Sequence, residues 1–492
     1  MARLIAIALT AAAPPAVAET TAQVIERAAE LMRARRHSEA LTLIDAELPK
    51  RMGDVERGKL LYQRGWIQSL AGRHEAALAT LARARSLVAE TPERMLTRAR
   101  AERRADRPAA AARTILNLRE LFPFEIAKLD EDWLYALDRD LTDRRNADIR
   151  FALVSMLTAR GYTGGRAVPG AASWVLRDTV LGLVRRKRLA EARALLPRAT
   201  DAGIVVGMMV DRQYEPIWPD LEAMAGIGAV KAFAAENAAM AAAHAAAPND
   251  IEITTAYLLT LATLGKEAEA LAISAPLVAD MAKVEAQGED AFWLVDRHAA
   301  LLGATGRVDE GEVLLGRLLT INFSKHRELI SMAINRTALL NNYDRPAQAI
   351  VAANWVGAKD ASAGTEYAWQ LVRAALSCAH ATLGEPAKAT AMLDEIMKRP
   401  SEGYAAATRA LLCNDRLDGA EKVILERLAA PEHRTAMLVA LQNYGPGRFG
   451  KARTEWDRRL YAVRDRPAVR AAIERHGRIL SFAAPRTYWG GF

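Results

Sequence analysis

Arginine is the residue type whose spacing in this chain points most clearly to a binding chemistry. Four arginines follow one another at i, i+3, i+4 and i+7: Arg100, Arg103, Arg104 and Arg107. On a helix, this spacing places all four guanidinium groups on one face. Guanidinium groups bind carboxylates through two parallel hydrogen bonds. The pattern favours an acidic partner, but a solvated helix face has the same pattern, so both interpretations stay open.

The motifs of common hydrolases and nucleotide-binding proteins are incomplete or absent. The pair Gly164-Gly165 lacks the lysine of a phosphate-binding loop, and His74-Glu75 lacks the second histidine of a zinc peptidase. No Gly-x-Ser-x-Gly nucleophile motif occurs. A soluble lytic transglycosylase would carry a compact catalytic domain after its helical repeats, and no such segment follows here. The sequence therefore predicts a protein without enzymatic activity, metal or cofactor.

A recurring turn sets the spacing of the elements that must position the arginines. Its clearest copy is Gly72-Arg73-His74-Glu75-Ala76-Ala77-Leu78. Each copy has a small anchor residue, and the anchors are Ala40, Ala77, Ala111, Ala192, Ala270, Gly311, Ala349, Ala389 and Ala420. Successive anchors are 37, 34, 81, 78, 41, 38, 40 and 31 residues apart, and each long gap has room for a degenerate repeat. A period near 34–40 residues predicts stacked helical hairpins that contact only their neighbours.

The hairpins resemble the tetratricopeptide family. The second copy has Gly72 in the turn of the repeat, and it carries small or apolar residues where the family's two helices approach closely: Gly65, Ala77, Leu81 and Ala84. The resemblance covers residues 25–445 and is strongest over 58–92, whereas generic helical hairpins would also match the weaker copies. It implies an all-α protein, a right-handed α-solenoid of stacked helix-turn-helix repeats.

The resemblance also implies a binding groove lined by the first helices of the hairpins. The residues that it places there are Arg33, Tyr62, Trp66, Arg100, Arg103 and Arg104. Arginines beside aromatic rings suit a peptide that carries a carboxylate. The lysine and asparagine pattern of the family's carboxylate-clamping members is not reproduced, which puts that particular binding mode in doubt.

The N-terminus has the pattern of a secretory signal peptide. Arg3 precedes an apolar run over residues 4–13, and Ala16-Val17-Ala18 supplies a cleavage site, so the mature chain is expected to begin at Glu19. The run is too short to span a bilayer, which takes about 20 residues, and no later segment is long and uncharged enough. We therefore predict a periplasmic protein without a transmembrane segment after cleavage.

The two cysteines, Cys378 and Cys413, lie about one repeat apart. In an exported protein this spacing allows a disulfide between adjacent hairpins. Two buried thiols in helix packing have the same pattern, so the sequence leaves the pairing open.

Two interruptions suggest the domain boundaries. Residues 161–170 form a Gly/Pro-rich loop, and Tyr214–Pro219 is predicted as an aromatic, proline-containing linker. The predicted divisions are a signal peptide (1–18), an N-terminal block (19–160), a degenerate repeat with irregular linkers (161–230), a C-terminal block (231–445) and a cap and tail (446–492).

Composition limits the partners. The protein has 67 basic and 59 acidic residues, a formal net charge of +8, which is modest for 492 residues and permits an acidic partner. An exported protein rarely meets nucleic acid. We expect a scaffold that binds another protein or peptide. The alternatives are a periplasmic component of an exopolysaccharide or cell-envelope export machinery, associated peripherally with it, and a cell-wall enzyme, for which no catalytic carboxylate is evident.

Overall fold

The computed structural model describes residues 19–358 and 364–485. The predicted signal peptide and the terminal residues 486–492 lie outside these ranges. The protein divides into two compact units, one ending at Gly165 and the other beginning at Arg166. Each unit is built from helices that pair in antiparallel hairpins.

The first unit contains eight α-helices and two short 3-10 helices in its described residues, 19–165. The α-helices are α1 (Thr21–Arg33), α2 (His37–Glu47), α3 (Asp54–Leu70), α4 (His74–Arg85), α5 (Pro92–Arg104), α6 (Pro108–Leu121), α7 (Glu131–Asp140) and α8 (Ala147–Ala159). The 3-10 helices span Pro123–Lys128 and Arg144–Asn146. Three successive hairpins, α1/α2, α3/α4 and α5/α6, form the repetitive part of this unit.

In residues 166–358 and 364–485, the second unit continues with α9 to α27 and two short strands. Its α-helices are α9 (Ser173–Arg185), α10 (Leu189–Leu195), α11 (Ala202–Val210), α12 (Trp218–Ala225), α13 (Val230–Ala246), α14 (Ile251–Thr263), α15 (Glu267–Val278), α16 (Met281–Gln287), α17 (Glu289–Ala304), α18 (Val308–Leu318), α19 (Leu329–Asn342), α20 (Pro346–Gly357), α21 (Glu366–Thr382), α22 (Pro386–Met397), α23 (Tyr404–Cys413), α24 (Leu417–Ala429), α25 (Pro431–Ala440), α26 (Lys451–Arg464) and α27 (Pro467–His476). The strands are β1 (Asn443–Gly445) and β2 (Ser481–Pro485).

Nine hairpin turns in the described residues share one geometry. In each, a residue with positive φ ends the first helix: Arg35, Gly72, Asp106, Lys187, Gly265, Gly306, Asp344, Gly384 and Asp415. At Gly72 the following amide, Arg73 N–H, donates to the carbonyl of Gln68 at 2.9 Å, which satisfies a carbonyl at the helix end. Glycine suits this position because it has no Cβ, and aspartate tolerates the left-handed conformation better than most residues.

The predicted anchors lie at one fixed position after these turns. Every anchor is the fifth residue beyond the positive-φ residue, and all nine are buried in the second helix of their hairpin. Their small size brings the paired helices together: a Cβ at Gly311 would lie 2.8 Å from the carbonyl oxygen of Ala299 on the partner helix. The predicted all-α solenoid of helical hairpins is therefore confirmed.

The long gaps between anchors contain helices as well. The predicted helix over 231–247 is α13, and Asp250 caps the next helix by accepting the backbone N–H of Ile253 at 3.0 Å. Residues 214–219 are helical, although the sequence predicts a linker there. They form the end of the 3-10 helix Arg212–Ile217 and the start of α12. Their aromatic side chains, Tyr214 and Trp218, are buried and fill the core of the second unit.

A short parallel ladder joins β1 and β2, and the sequence does not predict it. Burial alternates along β2, with Phe482 and Ala484 inside and Ser481 and Ala483 outside. This period of two is typical of a strand, but it covers too few residues to identify one in the sequence.

The two cysteines are joined. Cys378 on α21 and Cys413 on α23 form a disulfide, with 5.3 Å between their Cα atoms. These are the first helices of adjacent hairpins, which is the arrangement that the one-repeat spacing allows. Both residues are buried.

Candidate functional site

The candidate site lies on α3 and α5, the first helices of the second and third hairpins. Close packing of α3 on α4 positions it, because a Cβ at Gly65 would lie 2.7 Å from Cγ of Leu81. Tyr62 and Trp66 stand one turn apart on α3, while Arg100, Arg103 and Arg104 occupy the last turns of α5.

Trp66 and Arg104 are in direct contact. The guanidinium carbon of Arg104 lies 4.8 Å from the centroid of the Trp66 ring, within the range of a cation–π interaction. Desolvation lowers the pKa of Arg104, and the charges of Arg100 and Arg103 lower it further. Three arginines therefore lie within electrostatic range of each other beside one indole ring.

The prediction that Arg107 shares this helix face is wrong, because α5 ends at Arg104 and Arg107 lies beyond the turn residue Asp106, directly before α6. The four arginines also differ in how they are neutralised. Arg103 Nε donates to Asp140 at 2.6 Å, and Arg107 pairs with Glu75 at 2.7 Å. Arg100 and Arg104 form no ion pair with any described residue. The face thus carries two uncompensated positive charges next to Trp66. We call Trp66, Arg100, Arg103 and Arg104 the Trp66 surface.

Tyr62 is more enclosed than a groove residue is expected to be. Its side chain is 7% exposed, and the guanidinium carbon of Arg94 lies 5.4 Å from its ring centroid. Its hydroxyl has no hydrogen-bond partner among the described residues, and burial, followed by the charge of Glu90, raises the pKa of the phenol. Tyr62 therefore does not offer its ring face to a ligand.

Arg33 differs from the other predicted groove residues, because its partner lies on its own helix. It is exposed in the last turn of α1, and its guanidinium is 3.4 Å from Glu26. The structure shows a surface ion pair at this position, which contributes little to stability.

Sequence reasoning missed a polar network between α5 and α6. Arg98 pairs with Glu90 and lies 3.7 Å from Glu102, whose other oxygen accepts the hydroxyl of Thr114 at 2.7 Å. Burial raises the pKa of Glu102. Arg94 and Arg98 do not belong to the arginine pattern that begins at Arg100. Their own spacing of four residues nevertheless indicates that they share a helix face. This network compensates Arg98 internally and leaves Arg100 and Arg104 available.

The described residues offer no evident metal site. Among them, no group of three or more His, Cys, Asp or Glu side chains is placed to hold a metal ion. Within the same residues, no helix combines the length and the apolar character that crossing a bilayer requires.

The hairpins and their turns define a tetratricopeptide-like α-solenoid with a basic and aromatic surface on its first helices. No protein-family model matches the sequence, and no curated protein matches it. Solved structures with some likeness include yeast Tom70, at 11% identity over 92% of this chain and 99% of that chain, with a TM-score of 0.33. The P58(IPK) TPR domain is similar at 10% sequence identity over 91% of this chain and 99% of that chain, with a TM-score of 0.18. The human IFIT1 dimer is similar at 12% sequence identity over 92% of this chain and 92% of that chain, with a TM-score of 0.31. The fold assignment rests on the hairpins themselves.

Proposed function

We propose that this protein is a non-enzymatic scaffold that binds a carboxylate-bearing segment of another protein at the Trp66 surface. The carboxylate, from an acidic residue or a free C-terminus, pairs with Arg100 and Arg104. An apolar side chain next to it packs against Trp66.

One observation carries this proposal: Arg100 and Arg104 have no ion-pair partner among the described residues, whereas their neighbours Arg103 and Arg107 each have one. Like charges held together oppose each other: desolvation lowers the pKa of Arg104 most, and the charges of Arg100 and Arg103 lower it further. An incoming carboxylate removes the repulsion and forms charge-assisted hydrogen bonds. The site is thus complementary to an anion.

The same geometry favours a peptide over a polysaccharide. A glycan-binding groove stacks sugars on open aromatic faces, but the ring of Tyr62 is covered by Arg94 and that of Trp66 by Arg104. An acidic peptide uses the guanidinium groups that cover these rings.

In this proposal the protein acts outside the cytoplasm, in the periplasm of a Gram-negative bacterium, peripherally associated with envelope machinery. The disulfide between Cys378 and Cys413 supports this setting, because structural disulfides persist mainly in oxidising compartments. N-terminal sequencing of the protein from a periplasmic fraction should begin at Glu19, and material that begins at Met1 or Ala2 would refute export by cleavage.

A peptide-display selection on the full-length protein tests the binding proposal. The library is first depleted on the Arg100→Glu/Arg104→Glu variant and then selected on the wild-type protein. Enriched sequences should carry Asp, Glu or a free C-terminus beside an apolar residue. Enrichment of basic or neutral sequences would contradict the proposal.

A further inference from the structure

The second unit contains an open cavity of about 440 Å³ beside α15, α17 and α18. Its walls are largely apolar, and its polar lining residues are His298, Arg307, Asp309, Glu310 and Arg317. Ligand sites commonly have this size and this combination of apolar walls with a few placed polar groups.

The hydrogen bond between Ser274 and His298 bears on which ring nitrogen of His298 carries the proton. The hydroxyl oxygen of the fully buried Ser274 lies 2.7 Å from the carbonyl oxygen of Ala270 and 2.7 Å from Nδ1 of His298. In the tautomer that carries the proton on Nδ1, the Ser274 hydroxyl donates to the carbonyl oxygen of Ala270 and accepts a hydrogen bond from Nδ1. In this tautomer Nε2 is an unprotonated acceptor.

His298 remains neutral over the physiological range. Burial, followed by the positive charge of Arg307, lowers its pKa to about 4. The side chain is 7% exposed, and its Nδ1 edge is engaged with Ser274, so the Nε2 edge lines the cavity. Nε2 has no hydrogen-bond partner among the described residues. The cavity therefore offers an acceptor to which a ligand can donate a hydrogen bond.

The rim of the cavity offers one cationic group to a ligand with a π face. Arg307 and Glu310 neutralise each other through hydrogen bonds of 2.7 Å. Arg317 is exposed and forms no ion pair with a described residue, so it can cover an aromatic ring. Val313, 58% exposed, completes the apolar wall at the opening.

We propose that this cavity is a subsite for a tyrosine side chain of a partner protein, whose phenolic O–H donates to Nε2 of His298. The ring fills the apolar part of the cavity, and its face lies against Arg317. This subsite lies within the second unit and does not depend on binding at the Trp66 surface, so either proposal can fail alone.

Two probes that differ by one hydroxyl test the subsite. N-acetyl-L-tyrosinamide and N-acetyl-L-phenylalaninamide are titrated into the full-length protein, and binding is followed by saturation-transfer NMR. A site that accepts a hydrogen bond from a ligand's hydroxyl discriminates against an analogue that lacks this donor. We expect the tyrosine derivative to bind at least about tenfold more tightly. Equal affinity, or no detectable binding of either probe, would overturn the proposal.

Two variants locate the effect. His298→Phe keeps an aromatic ring but removes the acceptor, and the preference for the tyrosine probe should disappear. Val313→Trp changes an exposed rim residue, leaves the core intact and should block both probes. Val351→Trp, at a residue that is 71% exposed on α20, is the matched control and should bind as the wild type does. Tyrosine preference that survives in His298→Phe, or binding that survives in Val313→Trp, would also contradict the assignment.

Discussion

The guanidinium of Arg104 lies over the indole ring of Trp66, and the two arginines whose charges act on Arg104, Arg100 and Arg103, differ in their partners. Arg103 is held by Asp140 at 2.6 Å, while Arg100 is uncompensated within the described part of the protein. The Trp66 contact positions Arg104 without neutralising it. A positively charged group that is fixed in place but lacks a counterion is prepared to bind an anion with little further ordering.

Trp66→Leu should weaken binding of a peptide selected on the wild-type protein. An exposed cation–π contact is worth about 0.5–1 kcal/mol, so the affinity should fall by about two- to fivefold. Trp66→Phe retains an aromatic ring, so its affinity for the peptide should fall less than that of Trp66→Leu. The affinities are measured by fluorescence anisotropy, and a leucine variant that binds as tightly as the wild type would show that the indole does not position Arg104.

Ala77→Leu should destabilise the first unit. Ala77 is fully buried, and its carbonyl oxygen lies within 3.2 Å of the position that a Cβ at Gly65 would occupy. Added methyl groups at such a contact cost about 1–3 kcal/mol through overpacking. Ala82→Leu, on an exposed position of the same helix, is the control. Chemical denaturation that gives equal unfolding free energies for both variants would contradict the hairpin packing described here.

Glu236→Gln should change the pH dependence of stability in the second unit. Burial, followed by the charge of Asp201, raises the pKa of Glu236 to about 8, and its carboxyl group accepts a backbone hydrogen bond from Ala202. Between the unfolded value of about 4.3 and pH 8, the folded state holds a proton that the unfolded state releases, so stability falls as pH rises.

The glutamine variant keeps the acceptor and does not titrate. The free energy of unfolding of the wild type relative to Glu236→Gln should therefore decline from pH 5 to pH 8, by at most about 1.4 kcal/mol per pH unit. Glu402→Gln, at an exposed position, is the control. If the free energy of unfolding of the wild type relative to Glu236→Gln stays constant from pH 5 to pH 8, Glu236 is ionised in the folded protein and the prediction is wrong.

The disulfide should be present in protein isolated from the periplasm, and thiol titration under denaturing, non-reducing conditions should detect no free thiol. It closes a loop between residues 35 apart in sequence. Loop-closure entropy then predicts that Cys378→Ala/Cys413→Ala loses about 3–4 kcal/mol of stability, somewhat less if the unfolded state retains structure. Two free thiols per molecule in the isolated protein would refute the link.

The hairpin architecture is predictable because it depends on short-range features. The left-handed turn residue and the small anchor five positions later, such as Gly72 and Ala77, lie within one segment of sequence. The prediction of a linker at Tyr214–Pro219 is wrong because its prolines suggest a break, whereas burial of Tyr214 and Trp218 decides its conformation. That burial depends on helices distant in sequence.

The candidate site is only partly predictable for the same reason. The spacing of Arg100, Arg103 and Arg104 shows that they share a face, but no local pattern reveals that Asp140, 37 residues away, neutralises Arg103. The contact between Arg104 and Trp66 likewise joins two repeats. Which arginines remain available for a ligand is a property of the tertiary structure.

The most direct test of carboxylate binding at the Trp66 surface compares two double variants that change the net charge equally. Arg100→Glu/Arg104→Glu alters the Trp66 surface, and Arg51→Glu/Arg83→Glu alters exposed arginines elsewhere in the same unit. The affinity of each for the selected acidic peptide is measured at physiological ionic strength, where exposed charges are screened over about 8 Å. We predict at least about a 30-fold loss for the first variant, because two charge-assisted contacts are lost, and a loss of no more than about threefold for the second. Equal losses in the two variants, or an unchanged affinity in the first, would contradict binding at this surface.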